Sequence, residues 1–315
     1  MNNILMALNV VFPTFIMMSV GVIIKKVKMV DEPSLTVMNR IVFRVFMSLL
    51  LFLNIYNIDI NEIFNPNNLK LMLLTTSSIF FMFALAYLIY NRMTKDKNKL
   101  GVLIQATYRS NLILFGIPLI LSVYDESKLG IVLLIITPVV PLLNIMGVII
   151  LETYQAKERS YKKLFISVLK NPLIVAFILG LICLTLKVRI PKIVLNTMIT
   201  MSKVATPLAF VVLGATLKFD NMLNNIKFIA VTNFMKLIIF PIITLSIALY
   251  LGFRNEYIVA LLGVTASPTS VTSFNTVKEI GGDSKLAAEV VASSSVVSIF
   301  TLFLWVYFLR TFNFI

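Results

Sequence analysis

Five basic residues, Arg40, Arg44, Arg109, Lys203 and Lys236, stand inside long apolar stretches of this chain, and no aspartate lies well inside any of them. A charge near the centre of a bilayer costs roughly 2.5–3.5 kcal/mol on insertion scales, so such residues mark a binding or transport pathway unless something nearby neutralises them. The one acidic candidate, Glu289, sits close to the start of an apolar run and cannot pair with all five. An anion arriving from outside would complete the balance. Arg109 leads, since it lies about eight residues, roughly 12 Å at helical rise, into its stretch and two residues before Asn111. Its competing role is a structural cation bonded to backbone carbonyls. Lys203 and Lys236 rank second, as cavity-lining or packing residues. Arg40 is close enough to a stretch end to snorkel, Arg44 follows one turn deeper, and for Glu279 and Asp283 a helix-end or gating role competes with a coupling role.

Two of the apolar stretches are interrupted by proline in a polar setting. One reads Arg109-Ser-Asn111-Leu-Ile-Leu-Phe-Gly116-Ile-Pro118, and the missing donor of Pro118 predicts a kink or break there. The other reads Ala266-Ser267-Pro268-Thr269-Ser270, where Ser267 has the form of an N-cap with proline at the first helical position. Broken helices survive in a membrane only when buried in protein or facing a watery cavity. The N-terminus of a half-helix carries about +0.5 charge and free N–H groups, which suit a carboxylate. A substrate-binding set of Arg109, Asn111, Gly116, Pro118, Ser267, Pro268, Thr269 and Ser270 follows.

The chemistry excluded is equally informative. With no histidine and one cysteine, Cys183, in an apolar run, the chain implies no metal site, no cofactor and no internal disulfide. A membrane hydrolase would need a nucleophile with a base, or paired aspartates, and a cation/proton antiporter an acid at the midplane. None is present, so the chain reads as a carrier rather than an enzyme, with an anion channel or a cation-coupled carrier of another substrate class as the alternatives.

These residues need helices to hold them at depth. The 315 residues are 59% hydrophobic and 13% charged, too apolar for one soluble core. Apolar runs of about 20 residues, enough to cross roughly 30 Å of hydrocarbon, occur ten times: Ile4–Ile24, Leu35–Tyr56, Leu69–Tyr90, Gly101–Val123, Leu129–Leu151, Pro172–Leu186, Ile193–Leu217, Ile226–Leu251, Tyr257–Glu279 and Leu286–Phe308. The class is all-α integral membrane, solvated by lipid, with loops too short for a soluble domain. Lys25 and Lys26, rather than a small-residue cleavage site, follow the first span, so it is read as a retained helix.

Basic residues set the orientation. Loops after odd-numbered spans, with the adjoining helix ends, hold 16 Lys or Arg against 7 on the other side, which places both termini outside a bacterial-type inner (plasma) membrane. The same bias, with anionic lipid headgroups nearby, accounts for most of the net charge of +14 without any nucleic-acid partner. Pro13 and Gly21 in the first span recur at equal spacing as Pro172 and Gly180 in the sixth. Together with interruptions in the fourth and ninth spans, this suggests two five-helix repeats, 1–155 and 156–315, in inverted orientation.

The run Asn111-x4-Gly116-x-Pro118 resembles the first crossover of the auxin efflux carrier family, which includes bacterial malate or malonate permeases. Ala266-Ser267-Pro268-Thr269, followed by Lys278-Glu279-Ile280-Gly281-Gly282-Asp283, is similar to the second, and Thr206-Pro207 with Gly214-Ala215 looks like the family's seventh span. Ser48 departs from the pattern by standing where many relatives carry proline in the second span. The resemblance covers essentially the whole chain. It implies ten helices in an inverted 5+5 arrangement with broken helices 4 and 9 crossing, elevator-type transport of a mono- or dicarboxylate or an auxin-like aromatic acid, and a homodimer. The long loop of the large plant carriers is absent, so the compact prokaryotic branch is the nearer likeness.

Overall fold

A computed structural model describes residues 16–57, 66–124, 128–155, 169–216 and 224–315, with positions 13 and 166. The start of the first apolar run at Ile4, the repeat boundary after residue 155, most of the basic loop that follows it and the end of the seventh run at Leu217 lie outside the described residues. All regular structure among those residues is helical.

A helix at residues 16–26 (α1) precedes α2 (Glu32–Tyr56). Asp31 caps α2 by accepting from the Ser34 N–H at 2.8 Å, with Glu32 in the first turn to meet the positive helix end. That hydrogen bond holds the Asp31 carboxyl below its ordinary pKa. Next come α3 (Pro66–Met93), α4 (Lys97–Tyr108), α5 (Leu112–Val123), α6 (Leu129–Gln155) and α7 (Pro172–Thr185). The chain continues through α8 (Lys192–Thr216), α9 (Ile226–Tyr250), α10 (Glu256–Thr265), α11 (Val271–Ile280) and α12 (Ser284–Thr311). Side chains of Asp96, Asn171 and Asp283 cap α4, α7 and α12. Each is a short polar residue just ahead of an apolar run, where it stops the helix from starting earlier.

Six of these helices, α2, α3, α6, α8, α9 and α12, are long and apolar enough to cross a membrane, and α7 and α10 are shorter apolar helices. Around a buried apolar core the surface is itself apolar, and part of the interior is polar, unlike a water-soluble protein. Ile193, Phe300 and Tyr250 are 83%, 66% and 90% exposed, while Thr265, Thr269, Asn275, Thr276 and Ser294 are fully buried. Apolar side chains outside and hydroxyls and amides inside are what hydrocarbon solvent selects.

Glycines set how closely the helices approach. A Cβ on Gly21 of α1 would fall 2.0 Å from the Val211 carbonyl of α8, and one on Gly214 of α8 would fall 2.0 Å from the Met18 carbonyl of α1. On α7, a Cβ at Gly180 would meet Ile55 of α2 at 2.9 Å. Small residues let membrane helices pack backbone to backbone, where dispersion replaces the missing hydrophobic drive.

Two helices contain a π-turn, Val42–Met47 in α2 and Met235–Ile239 in α9, and each such turn carries one of the deep basic residues, Arg44 or Lys236. The carbonyls these distortions release are taken up locally. Ser48 donates its hydroxyl to the Phe43 carbonyl at 3.3 Å. In α9, Pro241 lacks the N–H that would reach the Leu237 carbonyl, and the Trp305 indole N–H donates to that oxygen at 3.0 Å.

Candidate functional site

At the centre of the molecule two helices stop and restart. α4 ends at Tyr108 and α5 begins at Leu112; α10 ends at Thr265 and α11 begins at Val271. The intervening segments pass each other antiparallel and bridge at Ser110 and Thr269. The Ser270 N–H donates to the Arg109 carbonyl and the Asn111 N–H to the Pro268 carbonyl, each at 3.0 Å. Thr269 ties the crossing to its surroundings, its hydroxyl donating to the Ala106 carbonyl at 2.8 Å and its N–H to the Ser294 hydroxyl at 3.1 Å. Backbone groups that a broken helix would leave bare in hydrocarbon thus find partners on the opposite segment.

The breaks are displaced from their expected positions. The first falls about two turns ahead of Pro118, which lies within α5. What ends α4 is the run Arg109-Ser110-Asn111, whose backbone bonds the second segment, whereas a proline inside a membrane helix is accommodated by neighbouring groups. In the second break the cap is Ser270, which accepts from the Thr272 N–H at 3.3 Å, and not Ser267. The Ser267 hydroxyl is buried without a partner. Pairing of Pro268 and Ser270 with the first segment keeps the chain extended three residues longer than a cap at Ser267 would allow.

One cavity opens beside the crossing and is lined by Arg109, Ser110, Asn111 and Ser270. Leu112 of α5 and Val271 and Thr272 of α11 also line it, so both half-helix N-termini face the same space. The Arg109 side chain is 1% exposed and its partners are all neutral. Nη1 donates to Gln105 Oε1 at 2.9 Å and Thr276 Oγ1 at 3.1 Å, and Nη2 donates to Asn144 Oδ1. Its Nε and the Asn54 amide, also on the cavity, are buried donors without a partner. Among the described residues no carboxylate lines the cavity. A positive charge, two positive helix ends and spare donors make the space suited to an anion.

Of the residues singled out from sequence, Arg109, Asn111 and Ser270 reach the cavity. Ser267, Pro268 and Thr269 form the buried crossing behind it. Gly116 serves packing instead: a Cβ on Gly263 of α10 would lie 2.8 Å from the Gly116 Cα, so these two glycines let α5 and α10 touch. Lys203 is exposed, at a turn within α8. Arg44 pairs with Glu279 at 2.7 Å. Glu289 accepts from the Asn225 amide at 2.8 Å and keeps one oxygen buried without a partner.

Of the two roles open to Lys236 the structure shows the packing one, and Asn144, Gln105 and Thr276 join the site without having been singled out. Lys236 is fully buried against the crossing, donating to the Tyr108 carbonyl at 3.4 Å and to the Ser110 hydroxyl. Asn144 could have been found from its setting, Pro138-Val-Val-Pro141-Leu-Leu-Asn144, since an amide one turn past two prolines in an apolar run needs a reason.

A helical multi-pass membrane protein with interrupted helices around a cationic cavity is, by class, a membrane transporter. A protein-family model described as membrane transport protein matches residues 6–160 and again 154–306. The chain belongs to that family, the auxin efflux carrier family its motifs resemble. No curated protein matches it.

Proposed function

We propose that this protein is a secondary transporter of a small organic anion, a mono- or dicarboxylate of malate or malonate size or an auxin-like aromatic acid, working by elevator-type alternating access. The observation that carries this reading is the convergence of Arg109 and the N-termini of α5 and α11 on one cavity that, among the described residues, no carboxylate lines. Asn111, Ser270 and Thr272 would orient the carboxylate and Arg109 would supply its counter-charge.

Support for relative movement comes from where the cavity lies. Its walls are α2, α7 and α8 on one side, through Asn54, Leu173 and Thr206, and α6 with the crossing on the other. In the first set glycine contacts join α1 to α8 and α7 to α2, and the second is joined by the backbone bonds of the crossing and by Arg109 to Asn144 of α6. A binding space between two separately fastened groups is what one group sliding past the other requires.

The inverted 5+5 arrangement of ten spans is part of the proposal. A single offset of 159 relates Pro13 to Pro172, Gly21 to Gly180 and Ser110 to its bridging partner Thr269. Outward-facing termini, an inner (plasma) membrane location and a homodimer complete it.

The test is uptake by purified protein in proteoliposomes, with radiolabelled malate, malonate and an aromatic carboxylate under imposed proton, sodium and electrical gradients. Saturable uptake of one acid, reduced at least about tenfold in Arg109→Ala (about 1.4 kcal/mol), is expected. Conductance without saturation would show an anion channel, and no uptake of any acid by folded protein would overturn the substrate class.

A further inference from the structure

Breaking two helices at one place exposes four ends, and the cavity accounts for only the two positive ones. The C-terminal ends of α4 and α10 carry partial negative charge and carbonyls that lack an intrahelical donor. Lys236 meets them. Its ammonium donates to the Tyr108 carbonyl, the last residue of α4, at 3.4 Å. It also donates to the Ser110 hydroxyl, which in turn donates to the Val264 carbonyl near the end of α10. The ammonium lies 5.0 Å from the centre of the Phe240 ring, and no carboxylate is within ion-pair distance of it among the described residues. Nor does Lys236 line the cavity.

Carbonyl oxygens at half-helix C-termini, with a hydroxyl beside them, are the oxygen set that binds alkali cations in carriers with broken helices. We propose that the Lys236 ammonium fills a monovalent-cation position formed by the Tyr108 carbonyl and Ser110 hydroxyl, so that the chain carries its own counterion and needs no sodium there. A tethered ammonium has the charge of sodium and supplies its hydrogen bonds to the same oxygens, but it cannot leave. The helix ends are neutralised in every state of the transport cycle, and no sodium gradient can be drawn on through this position. Shortening the side chain would vacate the position and leave its oxygen atoms, converting it into a site for a free alkali ion. The consequence for transport rests on the carrier reading above; the cation position itself does not.

The experiment measures the thermal unfolding midpoint of the purified full chain in sodium, potassium and N-methylglucamine salts of one anion at equal ionic strength. Wild type is expected to show no cation-specific shift. Lys236→Ala is expected to gain about 3 °C or more in sodium or potassium over N-methylglucamine, because an ion that binds only the folded form raises its midpoint. Lys236→Met, which fills the space with an apolar chain, is expected to show none. A specific shift in wild type, or none in folded Lys236→Ala, overturns the proposal. Should neither variant fold, the wild-type comparison decides: a specific shift overturns the proposal and its absence upholds it. In proteoliposomes, uptake by Lys236→Ala should depend on the cation that stabilises it. Lack of uptake by wild type as well would count against the carrier reading and leave the unfolding result standing.

Discussion

Arg109 on the first crossing segment donates through Nη2 to Oδ1 of Asn144 on α6, a neutral amide where an aspartate would offer the same oxygen with a charge. That choice keeps the cavity positive. A carboxylate at this position would hold the guanidinium equally well and cancel the charge an incoming anion would meet. Asn144→Asp is therefore expected to fold, less stably by the lost amide bond to the Val140 carbonyl, while uptake falls at least about tenfold, or about 1.4 kcal/mol. Melting temperature and uptake measured together check this; undiminished uptake in the folded variant would remove the electrostatic basis of the site.

Gly263 and Gly116 give a second expectation, on stability alone. A methyl at Gly263 would come within 2.8 Å of the Gly116 Cα, a backbone atom that cannot rotate away, so α10 must shift from α5. Overpacking of this kind costs about 1–3 kcal/mol. At Gly130, in the first turn of α6, a methyl would find nothing within 4 Å. There the intrinsic helix preference for alanine, up to about 1 kcal/mol over glycine, is expected to show. Thermal unfolding of Gly263→Ala and Gly130→Ala should move in opposite directions, and equal shifts would mean that the helices are not held this closely.

The parts of this molecule that follow from local chemistry were legible in the sequence. Arg109 announced itself by being a cation without a nearby acid. What could not be read was set by pairing between distant segments. The breaks fall at Arg109–Asn111 and Ala266–Ser270 because those stretches bond each other across more than 150 residues of chain. Proline, the only local marker of a break, pointed to Pro118 and to a cap at Ser267 instead. The partners of Lys236 were hidden for the same reason. Its partners are a carbonyl and a hydroxyl on another helix, and the π-turn that carries it has no sequence signature beyond Pro241 downstream.

The pair of Arg44 on α2 and Glu279 on α11 joins the two groups of helices that the proposed mechanism moves apart. Their 2.7 Å contact, with Arg44 59% and Glu279 13% exposed, is reinforced by the Asn39 amide, which donates to the Asn275 carbonyl at 3.3 Å across the same interface. A partly exposed ion pair contributes only about 0.2–1 kcal/mol, so Arg44→Gln and Glu279→Gln should each lower stability slightly. Because the contact has to open when α11 moves past α2, its loss biases the protein toward the moved state by its own worth, about a 1.4- to fivefold change in population. A double-mutant cycle on melting temperature should return a coupling of about 0.5 kcal/mol that shrinks at high salt. The charge-swapped pair, Arg44→Glu with Glu279→Arg, should recover most of it. Each single variant should also shift the distance distribution between spin labels placed on α2 and α11, and the swapped pair should shift it back. A full coupling energy with no change in that distribution would leave Arg44 and Glu279 as a static clamp and argue against movement of α11 along α2.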